Sequence, residues 1–258
     1  VDILIPVLLA FIAFCLMASS VYIMNDYVDI EQDRQHPKKR FRPLASGAIT
    51  KAQARGLGAI LACAALGLSA YLSRDLLLIL LAYGLLNIAY SFRLKHVAIV
   101  DVSIIALGFL LRVFAGGLVV GIPVSSWLIV LTFLLAMILG FGKRRGEFVA
   151  LGGESQTRQS LEGYNLAFID VSMVFMAAVT VGAYLMYTVS EEVVERIGSE
   201  QIYMTTFFVI LGILRYLQLA LVYQQSESPT GILLKDRFIQ ILLLFWILAF
   251  AYLLYGAA

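Results

Sequence analysis

Three aspartates sit together in Asn-Asp-Tyr-Val-Asp-Ile-Glu-Gln-Asp, residues 25–33. Asp26 and Asp29 are three residues apart, and Asp29 and Asp33 four. On a continuing helix this spacing sends all three carboxylates to one face, with Asn25 beside them. Like charges so placed repel, and the repulsion has to be offset. A hard divalent cation offsets it well, because Mg2+ takes carboxylate and amide oxygens, keeps some waters and commonly bridges to substrate phosphates. The alternative is a helix whose end is simply a patch of solvated acids. A basic stretch follows at once, His-Pro-Lys-Lys-Arg-Phe-Arg-Pro-Leu-Ala-Ser-Gly at 36–47. Its Lys38, Lys39, Arg40 and Arg42 read either as a topological anchor or as a clamp for phosphate oxygens, to which arginine offers a bidentate fork and lysine a point charge. Beside the acidic face the clamp is favoured, since metal plus basic groups is what a pyrophosphate requires. Pro43, Ser46 and Gly47 form a turn that fixes where the arginines point.

The elements that carry these residues are apolar. Of 258 residues, 61% are hydrophobic and 14% charged, and the mean hydropathy is +0.91, which excludes an ordinary soluble domain and indicates a membrane protein. Eight segments approach or exceed the ~20 residues needed to cross a bilayer as a helix, roughly 3–24, 52–72, 75–92, 98–120, 124–142, 166–189, 201–223 and 238–256. The third is the shortest. Continuous rather than alternating apolar runs favour helices over barrel strands. The expected architecture is an all-α, polytopic membrane bundle forming one domain over 1–258. Cys15 and Cys63 lie in apolar runs and form no disulfide or metal pattern.

If the odd-numbered connections share one side, that side receives 15 of the 19 lysines and arginines. The positive-inside rule makes it cytoplasmic and places the acidic motif there, at the inner end of the first helix. Arg112 and Arg215 are left within helices. An unpaired charge at the centre of a membrane helix costs at least ~2.5 kcal/mol, so Arg112 is expected either to face a cavity or to pair with another helix. Asp101, eleven residues earlier, is too distant along the helix to be its local partner. Arg93 and Lys95, at the cytoplasmic end of the preceding helix, are better placed for a phosphate. Asp170 reads as a helix cap, and Lys235, Asp236 and Arg237 open the last helix and read as a segment that closes over the site. His36 and His96 read as solvated. The basic residues are accounted for by topology and phosphate, so no nucleic-acid partner is expected, and association with further copies of the chain stays open.

The run at 25–33 matches the NDxxDxxxD signature of the UbiA superfamily of intramembrane prenyltransferases, and Arg-Pro-Leu-Ala-Ser-Gly at 42–47 resembles the RPLxSG that follows it there. The resemblance implies nine helices around a lipid-open cavity, which makes the family's first helix the one expected to precede Val1. It also implies that Asn25, Asp26, Asp29 and Asp33 hold Mg2+ against a diphosphate. Aromatic-prenylating members carry a second aspartate-rich motif on a later helix; here Gly-Phe-Gly-Lys-Arg-Arg-Gly-Glu-Phe, 140–148, stands in the most nearly corresponding place. Lys143, Arg144 and Arg145 cannot ligate a cation but can meet a further anion, and Glu147 is the one acid beside them. They also read as a topological anchor. Members of that group share a Tyr-x-x-x-Lys, whereas Tyr90 and Lys95 are one residue further apart, which puts the role of Tyr90 in question.

With the stretches at 90–102, 108–117, 161–165 and 228–237, the chain resembles the decaprenyl-phosphate phosphoribosyltransferase branch over nearly its whole length. That branch implies phosphoribosyl pyrophosphate as donor and a polyprenyl phosphate such as decaprenyl phosphate as acceptor. The donor carries a 1-diphosphate, which calls for Mg2+, and a separate 5-phosphate, which calls for its own cations. By this reading Asp26, Asp29, Asp33 and Arg42 assist the chemistry, and Lys38, Lys39, Arg93, Lys95, Arg112, Lys143, Arg144, Arg145 and Glu147 belong to substrate binding. Aromatic polyprenyl transfer from a polyprenyl diphosphate is the alternative activity.

Overall fold

The structure is a computed structural model that describes residues 4–35, 39–150, 163–225 and 229–255. The regular elements among them are helical: α1 (Leu4–Val28), α2 (Ile30–Gln35), α3 (Lys51–Leu72), α4 (Arg74–Phe92), α5 (Val100–Val120), α6 (Ser126–Ala150), α7 (Leu166–Val189), α8 (Glu191–Ile197), α9 (Thr206–Leu221), α10 (Pro229–Lys235) and α11 (Arg237–Tyr255). The ends are set by local chemistry. Thr50 and Gln53 form a reciprocal capping box, with the Gln53 N–H donating to the Thr50 hydroxyl at 3.2 Å, and start α3. Ser73 closes α3 and opens α4, accepting from the Leu76 N–H at 3.1 Å. Asn165, not Asp170, caps α7, accepting from the Phe168 N–H at 2.7 Å.

Among the described residues, eight helical stretches are long and apolar enough to cross a membrane. They follow the eight expected segments, and the third, Arg74–Phe92, is one of the two shortest at 19 residues. The chain is an integral membrane protein. Two ends differ from the hydropathy limits. The first helix runs to Val28 and so carries Asn25 and Asp26 itself, and α6 continues past 142 to Ala150, taking Lys143–Glu147 onto its last turns. Hydropathy marks where a chain leaves the apolar layer, whereas a helix ends where its backbone bonding does; Arg144 paired to Glu147 one turn on, at 2.6 Å, favours continuation.

The chain divides into two compact units, Val1–Val124 and Ser125–Ala258. In the first, α1 packs against α3, α4 and α5. Ala10, Ala13, Phe14, Met17 and Val21 of α1 meet Ala65 of α3, Leu76, Leu80 and Tyr83 of α4 and Ala115 of α5. The alanines let the backbones approach closely, as lipid-embedded helices require when no hydrophobic effect drives them together. Ser20 adds a hydrogen bond to the Gly58 carbonyl of α3 at 2.8 Å. In the second unit α6 packs on α7, α7 on α9 and α9 on α11. Its apolar layer contains a polar knot in which the Trp246 indole N–H donates to the Tyr184 hydroxyl at 2.8 Å, itself 2.8 Å from the Thr205 hydroxyl. None of the residues of α11 is buried, as suits a helix whose surroundings are lipid.

Candidate active site

The acidic run spans a near-continuous helical end. α1 stops at Val28, Asp29 forms the joint, and α2 resumes at Ile30. Helical hydrogen bonding crosses the joint, from the Asp29 N–H to the Asn25 carbonyl at 3.0 Å and from the Asp33 N–H to the Asp29 carbonyl at 2.8 Å. The three carboxylates therefore keep helical spacing, and the protein meets them with cations from two directions.

From one side comes the stretch after α2. Lys39–Phe41 form a single 3-10 turn, and Gly47, at φ +81°, reverses the chain where a side chain would be strained. Arg42 lies between, and one of its guanidinium nitrogens, Nη1, donates both to Asp26 Oδ1 at 2.7 Å and to Asp33 Oδ2 at 2.9 Å. Arg34 fastens the same stretch by donating from Nε to the Ala45 carbonyl at 3.2 Å. Leu44 and Ala45 are buried, and Leu44 packs with Ile30 and Ala54. Lys39 is half-buried at this edge, whereas Lys38 and His36 lie outside the described residues.

From the other side comes the connection between α4 and α5. Lys95 sits on a second 3-10 turn, Leu94–His96, and its buried ammonium donates to Asp29 Oδ1. The Asn25 amide donates to Asp29 Oδ2 at 3.2 Å, and the Asn25 oxygen in turn accepts from the Ser91 hydroxyl at 3.3 Å. Ser91 is almost fully buried and was not singled out from the sequence. A signal for it exists: Ser91 and Lys95 are spaced by four, as are their partners Asn25 and Asp29. Arg93 is exposed and Tyr90 half-buried.

The motif thus divides into a pair facing the 39–49 stretch, Asp26 and Asp33, and a pair facing the end of α4 and the connection after it, Asn25 and Asp29. Among the described residues no three acidic, histidine or cysteine side chains converge as a metal cluster. Mg2+ does not require one, since it is usually held by one or two carboxylates together with substrate phosphates. Two carboxylates already converge on one cationic nitrogen, Arg42 Nη1, and the donors are all hard oxygens. The residues present fit such an ion.

Arg112, on α5, donates to the Tyr83 hydroxyl and to the Gly108 carbonyl, both at 2.9 Å. Its guanidinium carbon lies 4.9–5.4 Å from the ring centres of Phe14, Tyr83 and Phe109. It therefore pairs with two other helices, through the phenol and ring of Tyr83 on α4 and the ring of Phe14 on α1, and lies over Phe109 of its own helix, with no carboxylate among these contacts. Asp101 is fully buried in the first turn of the same helix.

In the second unit Lys143 is exposed while Arg144 and Arg145 are buried. Arg144 binds Glu147. Arg145 donates to Asp170 Oδ1 at 2.7 Å, to the Ala220 carbonyl at 2.6 Å and to the Leu221 carbonyl at 3.4 Å, so it ties α6 to α7 and caps the end of α9. Arg215 is held by Asp236, Nη2 to Oδ2 at 2.8 Å, and Asp236 also caps α11 by accepting from the Ile239 N–H at 2.9 Å. The Arg215 hydrogen bonds hold the Asp236 carboxyl below its ordinary value.

The sequence profile of the UbiA prenyltransferase family matches residues 2–143, more than half of the chain and all of the acidic site. The chain belongs to that family. UbiA members are transferases, and two curated relatives share most of its length: a decaprenyl-phosphate phosphoribosyltransferase of Mycolicibacterium smegmatis, 34% identical over 95% of this chain and 79% of that one, and one of Mycobacterium tuberculosis, 32% identical over 96% and 81%. The fold is also that of a UbiA homologue from Archaeoglobus fulgidus solved with DMAPP and Mg2+, at a TM-score of 0.73 and 18% identity over 96% of this chain and 87% of that one. The all-helical membrane architecture and the family expected from NDxxDxxxD are both borne out.

Proposed function

We propose that this UbiA member transfers a 5-phosphoribosyl group from phosphoribosyl pyrophosphate to a polyprenyl phosphate and releases pyrophosphate. The observation that carries the proposal is the acidic end of α1 and α2 meeting Arg42 and Lys95 directly, an arrangement of oxygens and cations suited to a metal-bound diphosphate. The two curated relatives, named for this activity and alike over more than nine-tenths of the chain, support the choice of donor and acceptor. The side of the membrane that collects the basic residues is cytoplasmic, where a water-soluble sugar donor arrives.

In this reading Asp26, Asp29 and Asp33 would hold Mg2+, which when bound supplies positive charge to the diphosphate. The chain's own cations do the rest. As the C1–O bond of the ribose breaks, its electron pair leaves with the pyrophosphate, and Arg42, Lys39 and Lys95 stand beside the position where that charge collects. Preorganised cations of this kind lower a barrier set mainly by charge on the leaving group. Lipid phosphate oxygen attacks C1 from the opposite face, so the configuration inverts. The nucleophile is already an anion, and no general base is needed. In the second unit the exposed Lys143 is assigned to anion binding, and Arg145 to bracing.

The test is detergent-purified protein supplied with Mg2+ and radiolabelled phosphoribosyl pyrophosphate, with and without decaprenyl phosphate, scoring label carried into the lipid phase. Transfer is expected with the wild type and none with Asp29→Ala. A folded wild type that transfers nothing, yet prenylates an aromatic acid from a polyprenyl diphosphate, would replace this reading with the alternative one.

A further inference from the structure

Both oxygens of Asp29 are already engaged. Lys95 holds Oδ1 and the Asn25 amide holds Oδ2, with Ser91 fixing the far end of that amide. The pair is poorly solvated, the Lys95 side chain being 10% exposed and that of Asp29 17%. We propose that Lys95 is a specificity-determining residue: it makes the acidic site reject a bare divalent ion and accept that ion as its diphosphate complex. This rests on the donor site proposed above and adds the chemical form in which the metal is taken.

The reasoning is electrostatic. A free divalent ion reaching Asp29 has two courses. It can settle beside the ammonium, where like charges a few ångströms apart in a medium poorer than water repel strongly. Or it can displace Lys95, which leaves a buried ammonium without its carboxylate, the costly half of a broken buried pair. A metal diphosphate avoids both penalties, because it brings phosphate oxygens to which Lys95 can transfer while the metal takes the carboxylate.

The local chain permits that transfer. Lys95 belongs to neither long helix but to the one-turn connection between α4 and α5, and its four-carbon stem can re-aim without moving the backbone. The same connection ends at Ile99, a β-branched residue at φ +70°, so the path from α4 to α5 is a sharp corner and not a continued helix. Arg42 opposes a bare ion at Asp26 and Asp33 in the same sense, but it is 35% exposed and therefore better screened. Lys95 is the stronger discriminator.

The measurement is equilibrium dialysis of the full chain in detergent with radiolabelled Mn2+ standing in for Mg2+, alone and with inorganic pyrophosphate. The wild type is expected to bind Mn2+ weakly alone and more tightly with pyrophosphate, by a coupling of about 5–150-fold, the range of ordinary site-to-site coupling. Lys95→Met keeps the stem and removes the charge. It is expected to bind free Mn2+ about tenfold more tightly and the complex more weakly, so that the coupling collapses toward unity, whereas Lys95→Arg keeps the wild-type pattern. A variant that merely loosened the fold would lose both affinities together.

If folded Lys95→Met holds free Mn2+ no better than wild type, the inference is overturned. It is also overturned, with no variant needed, if the wild type binds Mn2+ equally with and without pyrophosphate. A wild type that binds neither the ion nor the complex removes the proposed donor site itself, and so separates failure of the function from failure of this refinement.

Discussion

Arg145→Met isolates what the middle of the second basic cluster does. The residue is 4% exposed, and its guanidinium spends its donors on the protein: one to Asp170, one to the Ala220 carbonyl and a longer one to the Leu221 carbonyl. Breaking a buried ion pair by removing one partner costs roughly 3–5 kcal/mol, but the Asp170 side chain is 33% exposed, which lowers that to about 2 kcal/mol. The short bond to Ala220 adds about 1 kcal/mol, because a carbonyl at the end of α9 loses its donor. A total near 3 kcal/mol corresponds to a melting temperature lower by roughly 6–12 °C on the scale of soluble proteins of similar length. Both tryptophans, Trp127 and Trp246, lie in the second unit, so their fluorescence during thermal unfolding in detergent reports on the part affected. Arg145→Met combined with Asp170→Leu should recover most of the loss, since apolar replacement of both partners leaves no orphaned charge. Unchanged melting of the single variant, together with weaker binding of the sugar donor, would refute the brace and return Arg145 to ligand binding.

Two further outcomes follow from the second unit. A Cβ at Gly142 would lie 2.1 Å from the Tyr216 hydroxyl, so Gly142→Ala should destabilise by about 1–3 kcal/mol in thermal unfolding. The Tyr216 hydroxyl is buried with no hydrogen-bond partner among the described residues, so Tyr216→Phe alone should be neutral or stabilising, and should rescue part of the Gly142→Ala loss. The Asp236 carboxyl is held low in the folded chain, so its contribution is complete above its unfolded value of ~3.9 and disappears as pH falls through the lower folded value. Hydrogen exchange over 236–240 should accelerate through that acid window relative to the same segment of Asp236→Asn, in which the dependence is absent.

Periodicity and charge made the membrane helices legible, because spanning a bilayer imposes both a length and a composition that no other fold needs. The acidic motif was legible because carboxylates at spacings of three and four share a face wherever the helix runs. Partners across helices were not. Nothing local to Arg112 points to Tyr83 or Phe14, which come from two other helices, and a neutral cage leaves no opposite charge in the sequence to find. Asp170 shows the same limit from the other direction, since its place near the start of α7 resembles a cap while its partner is 25 residues back on α6. Short-range chemistry is written in spacing, whereas pairing between helices is decided by the rotation of each helix about its axis.

A chain with so few charges keeps three aspartates at one helix end by answering each of them with a cation. Left alone, the three carboxylates would repel, and burial would raise the cost for Asp33, which is 4% exposed. Arg42 answers two of them with a single nitrogen, and Lys95 answers the third. Each cation comes from a short connection that can yield, not from the interior of a long helix. A permanent brace such as Arg145 is built the opposite way: it is rooted on α6 and tied to backbone carbonyls that cannot be exchanged for a ligand. By this criterion Arg42 and Lys95 suit the diphosphate role proposed for them, and charge reversal at Asp33 should loosen the 39–49 stretch, seen as faster proteolysis there, without disturbing the packing of α6 against α7.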